Sequence, residues 1–268
     1  MSRLVKQDAN DKIIIQITDT HLMQDPDAVF VDMLPEQSFH AIMQDIVQTY
    51  PDIDAIVHTG DLAQEPTQRC YQRYQDYMQQ LQIPFFQIPG NHDDLALFPL
   101  LTPDPLPGVV CLGNWKIILL NSAVPEKVDG WIKAEQLNLL DQLLEQYQDS
   151  MILLACHHHP FSMQSAWIDQ HILKNTEQLT QVMARHSHIK AVIFGHVHQE
   201  SWSEWQDIQF LSSPSTSVQF MPKSTDFAFD ELAPGYRCIL LKADGGLSSQ
   251  VHRLQNFNQK INKEISGY

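Results

Sequence analysis

The sequence predicts an α/β fold, because short apolar runs typical of buried strands alternate with segments of helical periodicity. Two segments carry apolar residues three or four positions apart and predict helices: Phe39, Ile42, Ile46 and Tyr50 in the first, and Leu137, Leu140, Leu144 and Tyr147 in the second. Near-continuous apolar runs predict strands at 13–18, 55–59, 85–88, 116–121, 151–156 and 191–194. Since several of these strands precede helices, we expect a sheet covered on both faces.

The pattern changes after residue 201. Trp202, Trp205, Ile208 and Phe210, and then residues 238–241, indicate strands joined by short connections. These strands predict a second, mostly antiparallel sheet, to which residues 201–268 contribute much, together with a C-terminal tail. We expect residues 1–268 to form one domain, with long loops only at 103–107 and 220–234.

The composition favours a soluble intracellular protein. The chain has 268 residues, 43% of them hydrophobic, and a formal net charge of −15, which repels nucleic acids and anionic membrane surfaces. No apolar stretch approaches the ~20 residues that a membrane-spanning helix needs. The N-terminus lacks a charged-then-apolar leader, and the cysteines, at positions 70, 111, 156 and 238, are widely spaced. We therefore expect a cytoplasmic monomer or homodimer with reduced thiols and without nucleic-acid or membrane partners.

Short polar signatures follow five of the apolar runs. Carboxylates, an amide and imidazoles at successive strand ends can converge on one edge of a sheet and bind two metal ions there. Hydrolysis of a phosphate ester is the leading hypothesis for such a site. The signatures are Asp19-Thr20-His21, Gly60-Asp61, Gly90-Asn91-His92-Asp93, His157-His158-His159-Pro160 and Gly195-His196-Val197-His198.

Each signature has a simpler explanation when it is taken alone. Asp19-Thr20-His21 is typical of a helix N-cap, and Gly60-Asp61 of a turn. His196 and His198, two positions apart in extended chain, point the same way both as metal ligands and at a solvent-facing strand end. The ordered occurrence of all five signatures favours the metal site.

The ordered series resembles the calcineurin-like metallophosphoesterase superfamily, and in detail its branch of bacterial class III 3′,5′-cyclic AMP phosphodiesterases. The resemblance covers the chain from about Ile13 to Tyr268 and implies a four-layer α-β-β-α sandwich of two packed mixed sheets flanked by helices. Beyond the polar signatures it rests on residues 16–22, 59–64 and 213–220 and on the ending Ser266-Gly267-Tyr268.

The resemblance implies two divalent or transition-metal ions, iron or manganese, with zinc as the alternative. It places Asp61 as a bridge between the two metals. His158 is chosen among the three consecutive histidines because the family ligand stands two positions before the proline, here Pro160. His157 and His159 then pack, support the ligands or face the substrate, and His58 is structural. The remaining ligands are Asp19, His21 and His198 at the first metal, and Asn91 and His196 at the second.

The resemblance also places His92 against the scissile phosphate, where an imidazolium stabilises charge or protonates the leaving oxygen. A satisfied loop histidine is the alternative for His92. Gln64 stands where protein phosphatases of the superfamily carry an aspartate, which argues against that branch. Asn91, His92 and Gln64 are the expected substrate contacts. Residues 161–167 and 213–220 are further candidates, although a Ser/Thr-rich segment is more typical of a turn.

The implied reaction is hydrolysis of 3′,5′-cyclic AMP to 5′-AMP by a hydroxide that bridges the two metals. Two alternatives remain. The first is a related hydrolase for 2′,3′-cyclic nucleotides, nucleotide-lipid diphosphates or other diesters, which would share every metal ligand. The second is a binding module without catalysis, which would be expected to lack ligands or His92, whereas this sequence has them all.

Overall fold

The computed structural model describes residues 3–99, 107–255, 257 and 261–262. A short 3-10 helix spans Ile168–His171. The other elements are β1 (Lys12–Ile17), α1 (Pro35–Thr49), β2 (Ala55–His58), α2 (Gln68–Gln80), β3 (Phe85–Gln87), β4 (Gly108–Leu112), β5 (Trp115–Leu119), α3 (Ala134–Gln146), β6 (Met151–Ala155), α4 (Thr176–Met183), β7 (Ile189–Phe194), β8 (Ser201–Trp205), β9 (Ile208–Ser212), β10 (Gln219–Phe220), β11 (Phe229–Asp230), β12 (Gly235–Leu241) and β13 (Leu247–Arg253).

Two mixed sheets form the centre of the molecule. Within the described residues, sheet I has the strand order β13-β12-β1-β2-β3 and sheet II the order β4-β5-β6-β7-β9-β8. In sheet I, β1, β2 and β3 are parallel, and β12 is antiparallel to β1. In sheet II, β5, β6, β7 and β9 are parallel. The carboxyl ends of the parallel strands in each sheet therefore lie at one edge.

Alternating side chains build three apolar layers around the sheets. Along β1, Ile13, Ile15 and Ile17 pack with the buried faces of α1 and α2, whereas Ile14 packs between the sheets. The outer face of sheet II is covered in the same way by α3 and α4. The predicted four-layer α-β-β-α sandwich is thus confirmed. No helix among the described residues is both long and apolar enough to span a bilayer.

The strands after residue 201 are distributed differently from the expectation of a separate second sheet. β8 and β9 belong to sheet II, but β12 and β13 belong to sheet I. Nor is their pairing wholly antiparallel, because β9 is parallel to β7. Local hairpins are visible in sequence, whereas the sheet that receives a hairpin depends on tertiary pairing with distant strands. The described residues after 201 therefore contribute strands to both sheets.

The remaining differences have local causes. Helix α2 carries its buried face on Cys70, Tyr71, Tyr74 and Met78 rather than on aliphatic residues, so no apolar run marked it. Strand β13 is half-buried along its whole length and polar in sequence. In the predicted 220–234 loop, β10 pairs with β11. Most of the predicted 103–107 loop lies outside the described residues.

Candidate metal centre

The polar signatures meet at the carboxyl edge of the two sheets. The loops after β1 and β2 run side by side, joined by main-chain hydrogen bonds from Asp19 N to Gly60 O (2.9 Å) and from His21 N to Asp61 O (3.1 Å). The loops after β3, β6 and β7 deliver Asn91, His157 and His196 to the same edge. Residues separated by more than 170 positions are therefore neighbours, as His196 N and Asp19 Oδ1 are at 3.0 Å.

The first cluster consists of Asp19, His21 and His198, all buried. His198 Nε2 lies 3.2 Å from His21 Nε2 and 3.3 Å from Asp19 Oδ1. The Nδ1–H of His21 donates to Gln64 Oε1 and the Nδ1–H of His198 donates to Val218 O, both at 2.8 Å. The ligand atoms of Asp19, His21 and His198 all lie within 4.8 Å of one another. Two imidazoles and a carboxylate in this arrangement fit a metal ion.

The second cluster consists of Asn91, His157 and His196. His157 Nδ1 donates to Thr59 O at 2.8 Å, and its Nε2 faces Asn91 Oδ1 at 3.1 Å. His157 and His196 lie with ring centroids 5.1 Å apart. His196 Nε2 is buried and has no hydrogen-bond partner among the described residues. A buried imidazole nitrogen without a partner is costly unless it binds a cation, so this cluster also fits a metal.

Asp61 lies between the two clusters. Its Oδ2 is 3.2 Å from His157 Nε2 and 3.8 Å from His21 Nε2, while its Oδ1 accepts the main-chain N–H of His92 at 2.9 Å. A carboxylate in this position can contact both metals at once. The geometry agrees with the bridge expected from the sequence.

Among the three consecutive histidines, the one that faces the other ligands is not the one that the spacing to Pro160 predicted. His157, rather than His158, faces Asp61 and Asn91. A nitrogen of His158 lies within 4.8 Å of ligand atoms of His157 and His196, yet both of its ring nitrogens are occupied. Ser122 Oγ lies 2.8 Å from Nδ1, and Nε2 donates to Val128 O at 3.0 Å. A ring whose two nitrogens are both hydrogen-bonded is a poor metal ligand, so the geometry favours His157 over the predicted His158.

His159 packs against the second cluster through His196. Its ring stacks on that of His196, with centroids 5.6 Å apart and planes at 20°. Burial lowers the pKa of His159, so the ring is neutral, and its 3.4 Å approach to Asp169 is not an ion pair. His159 is therefore a packing residue, one of the roles that the sequence left open.

Gln64 and His92 occupy different positions around the first cluster. The amide oxygen of Gln64 accepts the Nδ1 proton of His21, which fixes the tautomer of that ring. Gln64 was expected to contact substrate, but the contact seen here orients a ligand. His92 packs edge-on against His21, with ring centroids 5.0 Å apart, and one of its ring nitrogens lies within 4.8 Å of ligand atoms of His21 and Asp61. That placement suits a group that meets a bound phosphate.

The two candidate substrate loops support the centre rather than line it. Ser215 Oγ donates to Asp19 O at 2.7 Å, and the ring of Phe220 stacks on His198 at 3.9 Å. Trp167 in turn packs edge-on against Phe220, at 5.0 Å. The Ser/Thr-rich segment, residues 212–217, is thus buried and hydrogen-bonded to the first cluster, in agreement with its interpretation as a turn.

Two buried residues join the ligand loops and were not assigned this role from sequence. Asp93 accepts the main-chain N–H groups of Leu62, Ala63 and Gly90, at 2.9 to 3.2 Å, and so connects the loops after β2 and β3. His58 Nε2 donates to Thr20 Oγ1 at 2.6 Å, and its Nδ1 accepts from Gly60 N. The only sequence signal for Asp93 was its place in Gly90-Asn91-His92-Asp93.

The ligand loops depend on close approach and unusual backbone. A Cβ at Gly90 would lie 2.1 Å from Asp61 Oδ1, and one at Gly195 would lie 2.1 Å from Thr18 Oγ1. Asp19, His21, Asp61, His196 and His198 all have positive φ, between 47° and 68°. Such conformations cost roughly 1–3 kcal/mol each and persist only where the surroundings enforce them.

Burial and neighbouring charges set the protonation of the cluster. Burial lowers the pKa values of His21 and His196 well below the usual imidazole range, so both rings are neutral. Burial also acts to lower the pKa of His157, but the Asp61 carboxylate outweighs it and raises that pKa to about 9. Without metal, His157 therefore carries a proton between Asp61 and Asn91. A metal ion would replace that proton with a larger positive charge.

Comparison with known proteins agrees with this geometry. The model of the calcineurin-like phosphoesterase family matches residues 13–200. The chain is 36% identical to 3′,5′-cyclic adenosine monophosphate phosphodiesterase CpdA of Haemophilus influenzae, over 95% of this chain and 94% of that protein. It is 37% identical to a 3′,5′-cyclic-nucleotide phosphodiesterase of Nostoc, over 91% of this chain and 94% of that protein.

Solved structures share the fold at low sequence identity. A dimetal phosphatase from Danio rerio has a TM-score of 0.57 and 14% identity, covering 85% of this chain and 95% of that one. A purple acid phosphatase from yellow lupin has a TM-score of 0.67 and 12% identity, covering 96% of this chain and 54% of that one. At these identities the likeness concerns the fold alone.

Proposed function

From the premise that the chain belongs to the calcineurin-like phosphoesterase family, we propose that it hydrolyses 3′,5′-cyclic AMP to 5′-AMP at a centre of two metal ions. One observation carries the proposal: the Asp61 carboxylate lies between two clusters of ligand side chains, 3.2 Å from a ring nitrogen of one and 3.8 Å from a ring nitrogen of the other. The relatives named as cyclic AMP phosphodiesterases, aligned over nearly the whole chain, support the choice of substrate.

The proposed ligands follow from the geometry of the clusters. Asp19, His21 and His198 hold the first metal, and Asn91, His157 and His196 hold the second, with Asp61 shared. Imidazole and carboxylate ligands suit iron, manganese or zinc, and we favour iron and manganese. When bound, such a pair supplies Lewis acidity, which neutralises phosphate charge and lowers the pKa of coordinated water.

The chain's own residues then orient and assist the reaction. The main-chain N–H of His92 is fixed by Asp61 Oδ1, so its ring stands at a defined place beside the centre. Burial lowers the pKa of His92, although the Asp61 charge partly opposes this. An anionic phosphate beside the ring favours the imidazolium further. We assign to His92 the proton that the 3′ oxygen of the ribose takes as it leaves.

A substrate panel tests this function directly. Steady-state kinetics on cyclic AMP, cyclic GMP, 2′,3′-cyclic AMP and bis-p-nitrophenyl phosphate, with the metals quantified in the same preparation, should give the highest kcat/KM on cyclic AMP with about two metals per chain. A higher kcat/KM on 2′,3′-cyclic AMP would assign the enzyme to the alternative diester class. Absence of turnover on every substrate by the metal-loaded protein would favour the binding module.

We further propose that the enzyme acts in the cytoplasm as one domain, in a monomer or homodimer. The four cysteines all lie within the described residues, and none forms a disulfide. Thiols that remain free are compatible with a reducing compartment. Fractionation of the native host and light scattering of the purified chain test the two statements separately.

A further inference from the structure

A cavity of about 400 Å³ opens beside the metal centre. Residues 90–96, residues 123–126 and Pro66 line it. Asn91 and His92 belong both to this cavity and to the surroundings of the centre. A molecule whose phosphate lies at the metals therefore has room here for its organic part, and the volume lies within the range typical of small-molecule pockets.

The lining of the cavity is apolar at several positions and acidic at three, of which Asp93 is buried and accepts main-chain N–H groups of the ligand loops. Leu95, Ala96, Ala123, Val124 and Pro125 provide apolar surface, and Asp94 and Glu126 provide carboxylates. Among the described lining residues there is no lysine or arginine. The Asp94 carboxylate is held in place because its Oδ1 accepts the main-chain N–H of Ala96 at 2.8 Å, whereas Glu126 is exposed.

We propose that this cavity receives the nucleoside, and that Glu126 and Asp94 make the site select substrates whose organic part carries no negative charge. The proposal rests on the proposed function and narrows it. A neutral adenosine group meets apolar walls and two acceptor carboxylates. A second phosphate placed away from His92 would face those carboxylates with no lysine or arginine among the described lining residues. Like charges in a cleft repel more strongly than they do in open water. Diphosphate esters of nucleotides are therefore disfavoured relative to cyclic mononucleotides.

Charge reversal at Glu126 tests the selection. Cyclic AMP and 2′-O-succinyl cyclic AMP share the scissile ester, but the second carries an added carboxylate. In the metal-loaded enzyme, Glu126→Lys should raise the ratio of kcat/KM for the succinyl analogue to that for cyclic AMP by roughly three- to tenfold. Glu126→Gln should raise it by a smaller factor. Glu145→Lys, the same change on an exposed residue of α3 at the opposite edge of sheet II, should leave the ratio unchanged.

Filling the cavity tests its occupant independently of charge. Ala96 is exposed at the rim, so Ala96→Trp should raise the KM for cyclic AMP and the inhibition constant of 5′-AMP by about tenfold or more. The small diester methyl p-nitrophenyl phosphate should keep its kcat/KM, as should inhibition by inorganic phosphate. Ala184→Trp, on an exposed residue after α4, is the matched control.

The outcomes separate this inference from the proposed function. If wild-type enzyme turns over cyclic AMP but Glu126→Lys leaves the substrate ratio unchanged, the charge selection is wrong. If Ala96→Trp affects the small diester and cyclic AMP equally, or neither, the nucleoside lies elsewhere. If the wild-type enzyme turns over only the small diester, the proposed cyclic AMP activity fails. In that case inhibition by 5′-AMP that Ala96→Trp relieves would still support the cavity, and inhibition that it leaves unchanged would overturn it.

Discussion

The two clusters of the metal centre are held in place by different means. In the first cluster Asp19, His21 and His198 all have left-handed backbone, with φ of 52°, 51° and 47°. In the second cluster only His196 does, at 68°, whereas Asn91 and His157 have negative φ. His157 instead depends on its ring contacts with Thr59 O and Asn91. The first cluster is thus shaped mainly by the main chain and the second by side chains.

This difference indicates where a substitution is costly. In the first cluster a side chain that hydrogen-bonds a ligand is one restraint among several, because the backbone conformation already orients the ligands. In the second cluster His157 is both a proposed ligand and the contact of Asn91, so its loss removes two functions. Asp61 is the ligand that we propose to be shared by both clusters.

The largest effect is expected where the two clusters share a ligand. Asp61→Ala should lower kcat/KM on cyclic AMP by more than about 10⁴-fold, because both metals lose a carboxylate. Asn91→Ala should cost about 10²–10³-fold, since it affects one metal. Kinetics with elemental analysis of each variant measures both. Equal losses in the two variants, or near wild-type turnover in Asp61→Ala, would contradict the bridge.

The next effect concerns His92, whose ring stands beside His21 and Asp61. His92→Asn should lower kcat on cyclic AMP by roughly 10²–10⁴-fold with metal content retained. The loss should be smaller on bis-p-nitrophenyl phosphate, whose phenolate leaves without a proton. Equal losses on the two substrates would refute proton donation, and a change confined to KM would assign His92 to phosphate positioning.

A matched pair of neighbouring histidines tests the side-chain dependence of the second cluster. His157→Asn should lose one metal and about 10²–10³-fold in kcat/KM. His158→Asn should keep both metals and lose roughly 1–2 kcal/mol of unfolding free energy, because Val128 O loses its donor. Elemental analysis and urea unfolding distinguish them. The reverse pattern would restore the assignment that the proline spacing suggested.

Metal affinity should depend on pH through His157. The pKa of this ring is raised to about 9 in the metal-free protein, so below that pH a proton must leave before the metal binds. Apparent affinity of the second metal should therefore rise up to about tenfold per pH unit between pH 6 and 8. Chelator competition at three pH values measures this. A pH-independent affinity would mean that His157 is not a ligand.

The smallest effect is expected at the orienting residue of the first cluster. Gln64→Ala removes the acceptor of the His21 Nδ1 proton and should weaken binding of the first metal by about tenfold. Gln64→Glu retains an acceptor and should keep the affinity near that of wild type. A loss in Gln64→Ala as large as that in His157→Asn would remove the distinction between the clusters.

Much of this arrangement was predictable because its signals are local. Five of the apolar runs end at a polar signature. Parallel strands bring such ends to one edge, which places Asp19, Asp61 and His196 together. The choice between His157 and His158 was not local. Strand β6 ends at Ala155, so the alternation of side chains along a strand does not apply to the histidines that follow. The hydrogen bonds of His158 with Ser122 and Val128 show that both nitrogens of its ring already have partners.

The supporting residues were harder to predict for another physical reason. His58 and Asp93 are buried polar groups, and a sequence does not reveal which distant main-chain atoms will satisfy them. The same holds for β12, which pairs with the distant strand β1, and for β13, which pairs with β12. Long-range strand pairing of this kind is determined by tertiary packing, so the hydrophobic periodicity of the sequence does not reveal it.

The place of β1 at the centre of sheet I has a consequence for biosynthesis. During translation β1 emerges before β2 and can then pair with it, but its other edge stays open until β12, residues Gly235–Leu241, has left the ribosome. Residues 213–220, which anchor Asp19 and His198, also follow long after β1. Nascent chains should therefore expose an unpaired strand edge while the residues between β2 and β12 are translated, and the first cluster should be unable to take up metal until residues 213–220 have emerged.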